Sequence, residues 1–231
     1  MNSDWKKRLM TPELKSQSGL LKKMQDAEPK IYEEILRIHA MGVPGIVAGG
    51  FASYLLGLTN KYSDVDFFTE SFDGIMALYD TGDYKLSTHY ERKADHERIF
   101  KKNNIIVLNH KYDKLQIIYI RSDAFSGLEY YTELIRCFDI PTCQKGVFVV
   151  LPGQENVDTN TTYYIDQNHP FIGGGDTKLD KLVENRLEVR LAKYAERFVC
   201  SGETESLRSL CQTVVRKQDP DYKMIRVEHY N

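Results

Sequence analysis

The feature that most constrains this chain is a glycine pair, Gly49-Gly50, followed after a helix-length stretch by Asp64-Val65-Asp66. An apolar run, Ile46-Val47-Ala48, leads into the glycines and Phe67-Phe68 follows the acids, so the segment reads strand, turn, helix, strand. Side chains alternate across a strand, which points Asp64 and Asp66 to one face and Val65 to the other. Two carboxylates so close repel each other unless something cationic sits between them, and a divalent metal is the usual answer. Glycines let the backbone approach a polyphosphate, whose charge is favoured at the start of the next helix. The expectation is a phosphate cradle, built on Gly49 and Gly50, facing a metal site built on Asp64 and Asp66. Ser53, one turn along, is either a further hydroxyl donor to phosphate or an ordinary helix hydroxyl.

The rest of the chain supplies the frame for that segment. Thr11-Pro12-Glu13-Leu14 reads as a helix start, so the first forty residues are expected to be helical, with a second helix over 29–40 closed by Gly42 and Pro44. The helix after the glycines is expected over 51–58, and another over 71–82. Residues 83–102 are polar and resist assignment. Ile105–Leu108 and Leu115–Ile120 flank a polar turn, a hairpin by composition. A helix over 127–136 leads to expected strands at 138–140 and 147–150. Residues 158–175 read as a surface loop, and 177–200 and 203–217 as helices. Strands and helices interleaved this way predict an α/β (α+β) fold, a mixed sheet flanked by helices. Its divisions are an N-terminal helical arm (1–40), a core (41–155) and a C-terminal helical region (156–231).

Composition narrows the classes. The chain has 231 residues, 42% of them hydrophobic, with 15 Tyr and 10 Phe, which is ample for a core. A net charge of −2 argues against coating nucleic acid by bulk electrostatics, although a local basic groove stays open. The four cysteines, Cys137, Cys143, Cys200 and Cys211, form no Cys-x-x-Cys pair, so neither a zinc ribbon nor a disulfide framework is implied. No apolar stretch approaches the ~20 residues of a membrane span, and Met1–Lys7 lacks a signal-peptide core. A soluble protein of the cytoplasm, without a membrane partner, is expected.

One more segment carries a functional signal. Arg186, Arg190, Lys193 and Arg197 recur at helical spacing beside the apolar stripe Leu187, Leu191, Tyr194 and Phe198. Near a cleft such a row would hold triphosphate or a nucleic-acid backbone; elsewhere it is the solvated face of an amphipathic helix. Gly173–Asp176 lacks the Lys-Ser/Thr of a P-loop and reads as a hinge and cap. The histidines show no metal-ligand spacing.

Apolar residue, Gly-Gly, helix and Asp-x-Asp, in this order and spacing, resemble the nucleotidyltransferase superfamily typified by DNA polymerase beta, CCA-adding enzymes, poly(A) polymerases and antibiotic nucleotidyltransferases. Tyr54–Lys61 also resembles the Leu-Leu-Gly turn of the CCA-adding subgroup. That subgroup carries Arg-Asp shortly after the glycines where this chain has Ser53-Tyr54, and Arg136–Cys143 matches its Arg-Arg-Asp-Phe-Thr only loosely. CCA addition itself is therefore not implied. Leu115–Ile118, Phe138–Ile140 and the Arg-x-x-x-Lys-Tyr-Ala-x-Arg helix are similar to poorly characterised phage and large-virus proteins of the superfamily, which would put the chain in a host cytoplasm.

The resemblance implies transfer of a nucleoside monophosphate from an NTP, ATP among them, to a hydroxyl on RNA, protein or a small molecule, with two Mg²⁺ ions (or Mn²⁺) and pyrophosphate release. Two-metal transfer needs a third carboxylate. Asp139, between two apolar residues, is the expected one; a turn residue ahead of Pro141 is the competing reading. Gln116, an amide among apolar strand neighbours, is a poor Mg²⁺ ligand. It favours the alternative of a silent scaffold that acts by binding RNA or a protein, with an antitoxin-like regulator as a third reading.

Overall fold

The computed structural model describes residues 14–87, 105–111, 114–136, 138, 141–154, 161–167 and 197. Within them lie five helices: α1 (Leu20–Ala27), α2 (Pro29–Ala40), α3 (Gly50–Leu55), α4 (Phe72–Asp80) and α5 (Gly127–Arg136). The strands are β1 (Leu14–Gln17), β2 (Ile46–Ala48), β3 (Val65–Thr69), β4 (Tyr84–Leu86), β5 (Ile105–His110), β6 (Leu115–Ile120), β7 (Lys145–Val147) and β8 (Thr162–Asp166). They form one mixed sheet in the order β1-β8-β7-β2-β3-β6-β5-β4. Only the β3–β6 pairing at its centre is parallel; the others run antiparallel. The fold is thus a mixed sheet flanked by helices, as the sequence leads one to expect.

Local chemistry explains the helix ends. Pro29 opens α2, where its missing N–H costs nothing, and Ile31, Ile35 and Ile38 line its buried face. Gly42 follows with φ 78° and bonds back to His39, turning the chain into β2. Ser71 caps α4 by accepting the Gly74 amide at 2.9 Å. Lys23 of α1 donates to the carbonyls of Tyr54 and Leu55, at 2.8 and 2.9 Å, and so closes the C-terminus of α3.

The sheet buries its two faces against different partners. On one, Val47, Val65, Phe67, Leu115 and Ile117 pack with Leu20, Met24, Ile35, Phe51 and Ile75 of α1–α4. On the other, Ile46, Ala48, Phe68 and Ile165 pack with Tyr130, Tyr131 and Ile135 of α5. Each fully buried side chain of this kind contributes about 2 kcal/mol, so the first and larger cluster dominates stability. Asp66, between Val65 and Phe67, lies on the α5 face.

Four local expectations are corrected. Leu14–Gln17 is a strand, not the opening of a helix: it pairs with β8, and Lys15 reaches Asp166 at 2.8 Å, so tertiary pairing overrides helix propensity. Thr162–Asp166, within the expected loop, is the strand between β1 and β7. Tyr84–Leu86 adds the edge strand β4 within the polar stretch left unassigned. The strand expected at 147–150 lies at 145–147, where Gly146 permits close packing of Ile46 and Ile135 on the α5 face. The expected strand residue Phe138 stands outside regular structure, and Asp139 lies outside the described residues, as do the C-terminal helices apart from Arg197.

Candidate functional site

The glycine turn and the acidic strand come together at one end of β2 and β3. Gly49 has φ 79° and ψ −138°, a conformation that belongs to glycine. Its amide donates to the Lys145 carbonyl at 3.0 Å, which ties the turn to β7. A methyl group built on Gly49 would stand 3.7 Å from Asp66 Oδ2 and 3.8 Å from the Phe138 ring. The turn therefore has a carboxylate on one side and an aromatic wall on the other. Phe138 in turn packs on Phe68, with ring centroids 5.3 Å apart. Gly50 is the first residue of α3, half-buried.

Asp66 is half-buried on β3, in register with Ala48 on one side and Gln116 on the other. Asp64 immediately precedes β3, is exposed, and accepts from the Ser63 hydroxyl at 2.8 Å. An exposed and a half-buried carboxylate, two residues apart at the start of β3, make a pair of hard oxygen donors. Such a pair fits Mg²⁺ or Mn²⁺. Among the described residues there is no group of three acidic, His or Cys side chains poised around one ion.

The remaining expected site residues divide. Ser53 is fully buried; its hydroxyl lies 3.0 Å from the Gly49 carbonyl and closer still to that of Thr142. One hydroxyl proton serves one of these acceptors, so the group is occupied inside the fold, pinning α3 to the 141–143 turn. Arg197 is buried, and its carbonyl accepts the Asn60 amide at 2.8 Å in the loop between α3 and β3. Arg186, Arg190 and Lys193 lie outside the described residues.

Asn109 is a residue the sequence reading placed in a turn, yet it sits on β5 opposite Gln116. Lys85, on β4, faces Asn109. The available signal was an amide pair on two strands otherwise rich in Ile, Val and Leu, where Asn is disfavoured. A separate cleft of about 550 Å³ opens at the other end of β2, lined in part by Leu36, His39, Val43, Pro44, Val150 and Pro152. Burial pushes His39 there down to about 4.

No protein-family model matches the sequence, and no curated protein sequence matches it either. Among solved structures, the chain is similar to a CCA-adding enzyme in complex with CTP, at TM-score 0.46 and 16% identity over 86% of this chain and 45% of that one. An apo CCA-adding enzyme gives TM-score 0.46 and 20% identity over 87% and 46%. The Thermotoga maritima CCA-adding enzyme complexed with tRNA gives 0.43 and 16% over 91% and 52%. The chain thus spans about half the length of the structures it matches. Among the described residues no helix is long and apolar enough to cross a membrane.

Proposed function

We propose that this protein is a divalent-metal-dependent nucleotidyltransferase. The observation that carries the reading is the closeness of the Asp66 carboxylate to Gly49, whose backbone conformation is reserved for glycine: a Cβ there would stand 3.7 Å from Asp66 Oδ2. A polyphosphate laid along the Gly49-Gly50 turn runs past the carboxylates that would hold its metal ions. Asp64 and Asp66 are the metal-holding pair, and Mg²⁺ supplies Lewis-acid stabilisation of the phosphoryl oxygens when bound. Asp139 is proposed as the third carboxylate: it follows Phe138, whose ring borders Gly49 and Phe68. Arg186, Arg190, Lys193 and Arg197 are proposed to hold phosphate or nucleic-acid backbone.

In the reaction, an acceptor hydroxyl attacks the α-phosphorus of the NTP, the bond to the bridging oxygen breaks, and pyrophosphate leaves. Asp139 takes the hydroxyl proton or orients it. The turn fixes the triphosphate so that the leaving oxygen lies in line, and positioning supplies much of the acceleration. CTP, ATP and tRNA are ligands of the structures this fold is similar to, and an NTP with an RNA end is the substrate pair proposed here.

Gln116 favours a second reading. The position in register with Asp66 is neutral, and under this reading the scaffold binds nucleotide or RNA without turnover. Calorimetric titration of the four NTPs with Mg²⁺, on the parent and on Asp64→Ala and Asp66→Ala, tests both. Binding of at least one NTP that needs Mg²⁺ and both aspartates is expected, followed by labelled-NMP transfer to RNA. No binding at millimolar NTP would overturn the transferase reading; binding without transfer to any acceptor would favour the silent one.

A further inference from the structure

Asp66 begins a row of polar side chains that crosses half the sheet. Register pairs Asp66 with Gln116, Gln116 with Asn109, and Asn109 with Lys85. Residues paired across strands share a face, and neighbouring strands lie ~4.8 Å apart, so the amides stand about one and two strand spacings from Asp66. Gln116 and Asn109 are half-buried, and neither side chain makes a hydrogen bond among the described residues. Their neighbours Leu115, Ile117 and Leu108 are buried on the opposite face, which fixes the amides on this one. Partly burying unpartnered amides on strands that disfavour them costs stability. A ligand that completes their hydrogen bonds would offset that cost.

We propose that Gln116 and Asn109 are the acceptor-recognition residues of the Asp64–Asp66 site and that they take a vicinal diol, as at the 2′,3′ end of a ribose. The inference rests on the nucleotidyl-transfer reading, whose acceptor it specifies. Each amide both donates and accepts, which matches a hydroxyl that does the same. A phosphate or an acidic peptide calls for cations, and this row carries one, Lys85, at its far end. A lone protein hydroxyl would engage one amide and leave the other unmatched. A diol gives each amide an oxygen, with the attacking hydroxyl nearest Asp66.

The test follows the side-chain amide NMR signals of Gln116 and Asn109, assigned by their loss in Gln116→Met and Asn109→Ala. The probes are the ribodinucleotide cytidylyl-adenosine, the same dinucleotide with a 2′,3′-dideoxy end, and a free aminocyclitol. Unchanged thermal unfolding shows that each variant is folded. The ribodinucleotide should move both signals; each substitution should weaken its binding about tenfold, the scale of one hydrogen bond, and the dideoxy end, which lacks both hydroxyls, about a hundredfold. Mg·NTP affinity should stay unchanged in Asn109→Ala, which lies two strands from Asp66. If the aminocyclitol binds as tightly as the ribodinucleotide, the diol is that of a small molecule and the proposal holds. Amide signals unmoved by either diol, or a dideoxy end that binds equally well, would overturn it whether or not NTP binds. Shifted amides without NTP binding would instead defeat the transferase reading and leave the diol site standing.

Discussion

The two faces of the sheet are made by the same strands and meet opposite fates. On the α1–α4 face Val47 of β2, Val65 and Phe67 of β3 and Leu115 and Ile117 of β6 are apolar, and helices cover them. On the α5 face apolar packing covers Ile46, Phe68 and Ile135 but gives way, one pleat along, to Asp66, Gln116 and Asn109. Strand period makes this possible, since adjacent residues answer to different surroundings. Val65 and Phe67 hold the sheet down in the core while Asp66 between them stays half-buried on the opposite face. The lesson is that the site borrows rigidity from the far face.

Asp66 and Phe67 therefore offer the sharpest way to break the comparison. Asp66→Ala should lower transfer about a thousandfold, the scale of a lost electrostatic stabiliser, with a change in unfolding free energy below about 1 kcal/mol. Phe67→Ala, one residue away, should cost about 4 kcal/mol of stability through its cavity. Parallel denaturant titrations and turnover assays separate the two. Equal losses of stability would mean that the faces are not divided in this way.

A buried polar group on the packed face should show itself through pH. His39 meets Phe67 edge-on at 5.6 Å, and its Nε2 has no partner among the described residues. Burial lowers its pKa to about 4 from an ordinary 6.5. The unfolded chain thus binds the extra proton between those values, so stability is full above about pH 6.5 and falls as pH drops toward 4. The total loss is about 3 kcal/mol at about 1.4 kcal/mol per pH unit. His39→Gln should flatten that limb of the curve; an unchanged slope would assign the acid sensitivity to other groups.

The sheet edge tests whether the site's support extends to the strands the sequence concealed. Lys145, buried on β7, lies 2.6 Å from Asp166, which also meets Lys15 at 2.8 Å. Burial opposes ionisation of Asp166, but the two ammonium groups hold its carboxyl below the usual carboxylate range. Its stabilisation is present above about pH 4 and is lost as pH falls through the lowered value. Asp166→Asn leaves Lys145 without its counter-charge and should cost about 2 kcal/mol at neutral pH, less than for a wholly buried pair. Thermal unfolding of this variant and the parent between about pH 2 and 8 checks both size and sign: the gap should be full at neutral pH and close as pH falls below about 4.

What could be read in advance follows from where the determining forces are local. The turn at Gly49-Gly50, the β2 and β3 strands, α2 and α5 are set by short-range pattern, caps and alternation, and they appear where the pattern puts them. β1, β4 and β8 are short and polar, and partners far away in the chain decide them: Leu14 faces Ile165, and Tyr84 faces His110. The occupied Ser53 hydroxyl depends on the Thr142 carbonyl, 89 residues on, which no spacing rule reveals. Gln116 was visible as an amide among apolar residues, but its place beside Asp66 and Asn109 required the register.

The smallest expected effect concerns the turn itself. Gly49→Ala adds a methyl group with room to stand, since its nearest neighbours would be 3.7 and 3.8 Å away. Its cost is therefore in the backbone: φ 79° with ψ −138° disfavours any residue with a Cβ, by about 1–2 kcal/mol. At this chain length that lowers the unfolding midpoint by only a few degrees, at about 2–4 °C per kcal/mol. Because the added methyl would face Asp66 Oδ2, Mg·NTP affinity should fall more than tenfold in the same variant, while Gly45→Ala, which strikes the Phe67 ring, should lose stability first. A Gly49→Ala protein that binds NTP as the parent does would show that polyphosphate does not approach this turn. The far face would then be rigid support for something other than nucleotide.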